Sequence, residues 1–221
     1  MNRLIRNLAL LVMSITVTLS GCGSTGRSDD EVLEELASLD KQTIFDRAEA
    51  LYTDKKYVEA RKYFSFVYDT FPNDPLGHKA ALRVADTYLA KKDATSLTEA
   101  RLRYRDFANR YPNDPDRDYA LLMVGHTYSS KKIRADRDLA NLREAFTAYE
   151  QLTALYPNSR HAEEARTRTA ALRDTLAEHE YLVAQFYFRN KRWQGALWRL
   201  EYLKENYPDY SKIAEVNSMV D

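Results

Sequence analysis

Residues able to do chemistry are sparse in this 221-residue chain. Its histidines are His78, His126, His161 and His179. His161 and Glu164 stand one helical turn apart and His179 follows farther on, a thin set of ligands for a cation. The default for such residues is a solvated helix face, so no metal and no other cofactor is expected. Adjacent acids such as Glu163 and Glu164 point in different directions on a helix and cannot face each other as an acid–base pair. Gly23, Gly26, Gly77, Gly125 and Gly195 are too scattered to build a phosphate-cradling loop. Nucleophile-elbow, zinc-peptidase and calcium-loop patterns are missing as well. No catalytic residue is assigned, and an enzyme is not expected.

The remaining reactive group is the thiol of Cys22, the only cysteine. A single cysteine makes neither an internal disulfide nor a cysteine metal cluster. Arg3 and Arg6 precede it without an acid, then a mostly apolar run from Leu8 to Leu19, then the small residues Ser20 and Gly21. That order is a secretory signal. A helix over the apolar run would cover only about 18 Å, short of the ~30 Å needed to cross a bilayer. Leu19-Ser20-Gly21-Cys22 resembles the bacterial lipobox, which implies a diacylglyceryl group on the Cys22 sulfur, cleavage before it and acylation of the new amine. Residues 1–21 are therefore read as a lipoprotein signal peptide and 22–40 as lipidated cysteine and tether. Gly23 to Asp30 has nothing apolar to bury, and Glu31 to Asp40 has Val32, Leu33, Leu36 and Leu39 at helical spacing.

Lys and Arg number 33, against 33 Asp and Glu, and the mean hydropathy is −0.59. Without a basic excess, nucleic acid is not an expected partner. Without a basic block, attachment to a membrane falls to the lipid.

The elements that would position any site are helical and repeated. Four marks recur: Phe71-Pro72-Asn73-Asp74-Pro75, Tyr111-Pro112-Asn113-Asp114-Pro115, Tyr156-Pro157-Asn158-Ser159 and Tyr207-Pro208-Asp209-Tyr210. Each reads as a helix end and a turn, because proline expels the preceding residue from helical geometry. Upstream of each, at fixed distance, stand Ala60, Ala100, Ala145 and Ala196, and then Phe64, Tyr104, Tyr149 and Leu200. Farther back come small/large pairs: Ala48/Leu51, Ala85/Tyr88, Gly125/Tyr128 and Ala184/Tyr187. The small residues let helices approach and the large ones fill the gap.

This pattern resembles the tetratricopeptide repeat. It implies an all-α solenoid of helical hairpins over residues 41–221, four units plus a terminal helix that caps the array. The units are stretched by a polar insert, Lys131 to Arg137, and by a segment from Ser159 to Arg189 without Gly or Pro, which predicts one long helix or two nearly continuous ones. In such repeats the first helices line a concave groove. Here those positions are Phe45, Glu49 and Tyr52; Leu82, Asp86 and Leu89; Tyr119, Leu122 and His126; and Tyr181, Gln185 and Phe188. An aromatic groove suits an extended peptide bearing aromatic residues; the other reading is a groove covered by the lead-in or by the long helix.

From Asp136 to Asp209 the likeness narrows. Asp136-Arg137-Asp138, Tyr156-Pro157-Asn158-Ser159, Leu172 to Ala177, Glu180 to Ala184, Phe186-Tyr187, Trp193, Arg199-Leu200-Glu201 and Tyr207-Pro208-Asp209 are similar to the BamD family of outer-membrane assembly lipoproteins. That resemblance implies a periplasmic scaffold held by lipid at the outer membrane, which aids folding and insertion of β-barrel proteins. It implies a groove for client targeting strands of unfolded outer-membrane proteins, and C-terminal repeats that dock a POTRA domain of the barrel-forming subunit beside other assembly lipoproteins. Trp193, Arg199 and Glu201 are the docking candidates, each with a structural alternative: repeat core for Trp193, an internal ion pair for Arg199 and Glu201. Gly23 after the cysteine resembles lipoproteins sorted to the outer membrane. The chain stops one helix after Pro208, where family members often carry a pair. A tetratricopeptide pilotin or envelope scaffold serving pili, secretins or cell-wall enzymes is the alternative.

Overall fold

Proline and its aromatic neighbour set the architecture, as the repeated marks predict. The computed structural model describes residues 29–130 and 139–220; the signal segment, Cys22, most of the tether, the Lys131–Arg137 insert and Asp136–Asp138 lie outside them. The chain divides into two units, Met1–Ser38 and Leu39–Asp221. The first contributes one helix, α1 (Asp29–Ala37). Asp29 and Asp30, placed in the tether on composition, form its first turn.

The second unit is all helix among its described residues: α2 (Lys41–Thr53), α3 (Tyr57–Thr70), α4 (Pro75–Leu89), α5 (Ala94–Arg110), α6 (Arg117–Ser129), α7 (Ala140–Leu155), α8 (Ala162–Arg189), α9 (Trp193–Asn206) and α10 (Ile213–Val220). Each packs on the next, and α2 also meets α4 across the hairpin between them. The result is a solenoid of helical hairpins. No described helix is long and apolar enough to cross a membrane.

Phe71, Tyr111, Tyr156 and Tyr207 close α3, α5, α7 and α9 in one conformation, with φ between −119° and −132°. Their N–H groups still bond back to Val67, Phe107, Leu152 and Leu203. Each carbonyl then accepts from the residue three on, at Asp74, Asp114, Ser159 and Tyr210, which makes the same turn four times. Asp74 caps α4, accepting from Leu76 N with Pro75 in the first helical position. Asp40 and Asp93 cap α2 and α5 in the same manner.

The alanines and large residues read from the sequence form the core. Ala60, Phe64, Ala100, Tyr104, Ala145 and Tyr149 are fully buried, and Ala196 and Leu200 nearly so. Truncating one of these aromatics to alanine costs about 3–5 kcal/mol. One cluster joins α4, α5, α6, α7 and the start of α8 through Ala162 and Ala165. Another is built by α8 from Ala177 onward with α9 and α10, through Tyr181, Leu200, Leu203, Tyr210 and Val216. Leu139, Leu142 and Leu176 pack between them, with Leu172 and Tyr207 alongside. Helix α8 is therefore the long element expected: its first half completes one hairpin and its second half opens another.

Candidate functional site

The first helices of the hairpins, α2, α4 and α6, carry the predicted groove positions, and a charged network links them. Arg83 on α4 donates from Nε to Glu49 Oε1 on α2 at 2.6 Å, and from a terminal nitrogen to the other oxygen of the same carboxylate. Its other terminal nitrogen donates to Asp86 Oδ2 at 3.0 Å. Asp86 Oδ1 accepts from Tyr104 of α5 at 2.5 Å and from Tyr119 of α6 at 2.8 Å. The Arg83 guanidinium also lies 4.9 Å from the centre of the Tyr52 ring. Three helices thus meet at one buried carboxylate, and Arg83 links it to the fourth, α2.

The electrostatics follow from this packing. The hydrogen bonds it donates to Glu49 and then to Asp86 hold Arg83 above its ordinary range. Burial, followed by the Asp86 charge, pushes the Tyr104 and Tyr119 hydroxyls up, so both stay protonated and donate. Tyr52 is raised chiefly by burial.

Around this centre Phe45 stacks edge-on against Phe64 at 5.3 Å and Tyr52 edge-on against Tyr57 at 5.3 Å; both are partly exposed, as is Leu89. Leu122 is 1 % exposed and Leu82 is 5 % exposed. They are core residues and offer a peptide no surface, which corrects their placement on the groove wall. His126 stands 3.1 Å from Glu164, and Tyr119 lies 5.7 Å from the His161 ring. Burial, then the Arg168 charge, depress the His126 imidazole against the pull of Glu164. Glu164 also pairs with Arg168, and His161 Nε2 accepts from Arg160, so these residues are engaged with protein partners. In the fourth hairpin Tyr181 is buried, donating to Glu215 of α10 at 3.0 Å, while Gln185 is partly exposed and Phe188 is exposed. The terminal helix closes over that end.

The docking candidates separate. Arg199 pairs with Glu180, not with its neighbour Glu201: the distance is 2.7 Å, and Glu180 is nearly buried. Glu201 is exposed. Trp193 is 55 % exposed rather than core, and meets Phe188 edge-on at 4.9 Å. Trp198, Tyr202 and Phe186 are exposed too and are not among the docking candidates read from the sequence. Trp198 and Tyr202 lie one turn apart on α9, opposite Ala196, Leu200 and Leu203. That opposition was the available signal, masked because aromatics in such repeats are usually core.

Comparison with known proteins follows this geometry. Residues 38–220 match the YfiO family, described as outer membrane lipoprotein. The chain is similar to the outer membrane protein assembly factor BamD of Haemophilus influenzae, 28 % identical over 217 residues, covering 94 % of this chain and 78 % of that one. The corresponding factor of Vibrio cholerae is 41 % identical over 76 residues, 34 % of this chain and only 32 % of that protein. Among solved structures, a tetratricopeptide-repeat protein of Thermus thermophilus aligns with a TM-score of 0.43 and 18 % identity, over 82 % of this chain and 99 % of that one.

Proposed function

The chain belongs to the YfiO family of outer membrane lipoproteins, and on that premise we propose that it is a non-catalytic scaffold of the machinery that assembles β-barrel proteins in the outer membrane. Cys22 carries the lipid that holds it at the periplasmic face of that membrane. The first three hairpins receive an aromatic-bearing targeting strand of an unfolded client along Phe45, Glu49, Tyr52, Leu89, Tyr119 and His126, with Asp86 buried beneath them as a partner of Arg83. The last hairpin, through Trp193 with Trp198, Tyr202 and Phe186, docks the barrel-forming subunit by its POTRA domain, beside other assembly lipoproteins.

The family match over residues 38–220 carries this reading. The solenoid supports it: partly exposed aromatic rings line one face, and exposed ones gather at the far end. Crosslinking in intact cells followed by pulldown is the test. Recovery of the barrel-forming subunit and unfolded porins is expected. Recovery of a secretin or pilus component in their place would overturn the reading in favour of a pilotin. For the anchor, Cys22→Ala should abolish palmitate labelling and release the protein from membranes.

A further inference from the structure

We infer that Glu49 occupies, from within the chain, the place of a ligand carboxylate on Arg83, so that the groove recognises the free C-terminal carboxylate of its peptide and Glu49 competes with it. This rests on the groove reading proposed above.

The two acids on Arg83 are unequal. Asp86 has 6 % of its side chain exposed and takes two tyrosine hydroxyls on the same oxygen, so it is a fixed counter-ion. Glu49 has 29 % exposed, and no hydrogen bond to its carboxylate other than the two from Arg83 is found among the described residues. Its side chain can swing from α2 into water. Arg83 is itself 33 % exposed, with the centre of the Tyr52 ring 4.9 Å from its guanidinium. A guanidinium offers five N–H donors. The two on its forked side hold Glu49 in the bidentate arrangement by which arginine binds any carboxylate. Exchanging Glu49 for a peptide carboxylate keeps the charge and hydrogen bonds of Arg83 unchanged. The exchange is therefore nearly balanced, and the aromatic contacts of the peptide decide it.

The test uses the full-length processed protein and a ten-residue peptide of alternating aromatic and polar residues ending in phenylalanine, made as free acid and as C-terminal amide. In the unaltered protein the acid is expected to bind about threefold tighter than the amide. Glu49→Gln should widen that ratio to about tenfold, the scale of one hydrogen bond to a charged group. Arg83→Gln should bring the ratio to one. Acid and amide binding equally in both the unaltered and Glu49→Gln proteins would overturn the inference and leave the groove standing. Equal weakening of both peptides by Glu49→Gln would make Glu49 a structural bridge, also against it. Binding of neither peptide would remove the groove and this inference together.

Discussion

Nδ1 of His78 lies 2.7 Å from Oδ2 of Asp114, so the first turn of α4 is tied to the proline turn that follows α5. The tie recurs at equivalent positions. Lys41 on α2 reaches Asp74, and Asp118 on α6 accepts from Ser159. Seven residues before Ala48, Ala85 and Gly125 there is always a polar side chain, and two residues after the proline there is always its partner. At the fourth mark the positions hold Ala177 and Tyr210, and the bond moves: Tyr210 donates to Glu178. Hairpins are thus joined along one edge by bonds that leave their apolar faces free to pack.

Asp114 is the rung to test, since Oδ1 also accepts from Asp116 N within its own turn. Asp114→Ala removes both bonds. The expected cost is about 1–3 kcal/mol, read as a lower urea midpoint and a melting temperature reduced by roughly 2–4 °C per kcal/mol for a chain of this size. Asn113→Ala in the same turn, exposed and outside the ladder, should stay within about 0.5 kcal/mol of the parent.

The hairpin turns hold a different strain. Lys55, Lys92 and Lys191 have φ of 62°, 59° and 59°, in the left-handed region. That conformation costs an L residue about 1–2 kcal/mol, part of which glycine recovers while gaining freedom in the unfolded chain. Lys92→Gly is expected to raise the denaturation midpoint by about 0.5–1 kcal/mol equivalent. Lys92→Val should lower it, since a β-branched residue fits there worst.

Gly125 was legible as the small member of a small/large pair, and its reason is now specific. A Cβ there would lie 2.2 Å from the ring of Tyr149, which is fully buried and cannot withdraw. Gly125→Ala is expected to cost about 1–3 kcal/mol by overpacking. Adding Tyr149→Leu should recover part of that loss, a non-additive pair readable in a double-mutant cycle. Gly77 had no such signal, yet its Cβ would fall 1.9 Å from the Phe71 carbonyl oxygen. Backbone against backbone is a tertiary fact that no spacing rule exposes.

The same distinction explains what the sequence did and did not tell. Helix ends at Phe71, Tyr111, Tyr156 and Tyr207 were readable because proline acts locally, on the residue beside it. The face of each helix was readable because it has a period. Depth was not: Leu82, Asp86, Tyr119 and Leu122 were all placed on the groove face, but only Tyr119 among them is not buried. Partnerships were not readable either. Arg199 bonds Glu180, nineteen residues away on α8, rather than Glu201 on its own helix. Arg83, the centre of the groove network, was missed because it lies to one side of the stripe and arrives by reach.

Acid should weaken the fold through His126. Burial, then Arg168, lower its pKa below the ordinary value. The unfolded chain therefore takes up a proton at a pH where the folded one does not. Stability is full above the unfolded pKa, near 6.5, and falls as pH drops below it until the folded group also protonates. Denaturation midpoints from pH 7.5 to 5.5 should decline, and less steeply in His126→Gln.

Docking at the last hairpin needs a variant that spares the fold, and Arg199 is not one. Removing it leaves the nearly buried Glu180 carboxylate without its ion-pair partner. Because Arg199 is itself 43 % exposed, the cost is discounted from that of a fully buried pair to about 1–2 kcal/mol. Lost copurification in Arg199→Ala would thus mix two causes. Trp198 is 66 % exposed, and its ring lies on the side of α9 away from the core. Trp198→Ser is expected to leave the melting temperature within about 2 °C, the effect of a surface change, while cutting copurification of the barrel-forming subunit severalfold. Trp193→Ser should act in the same direction, with a small stability loss from its contact with Phe188. If both serine variants retain the subunit at parental levels with unchanged melting, this aromatic surface is not where it docks.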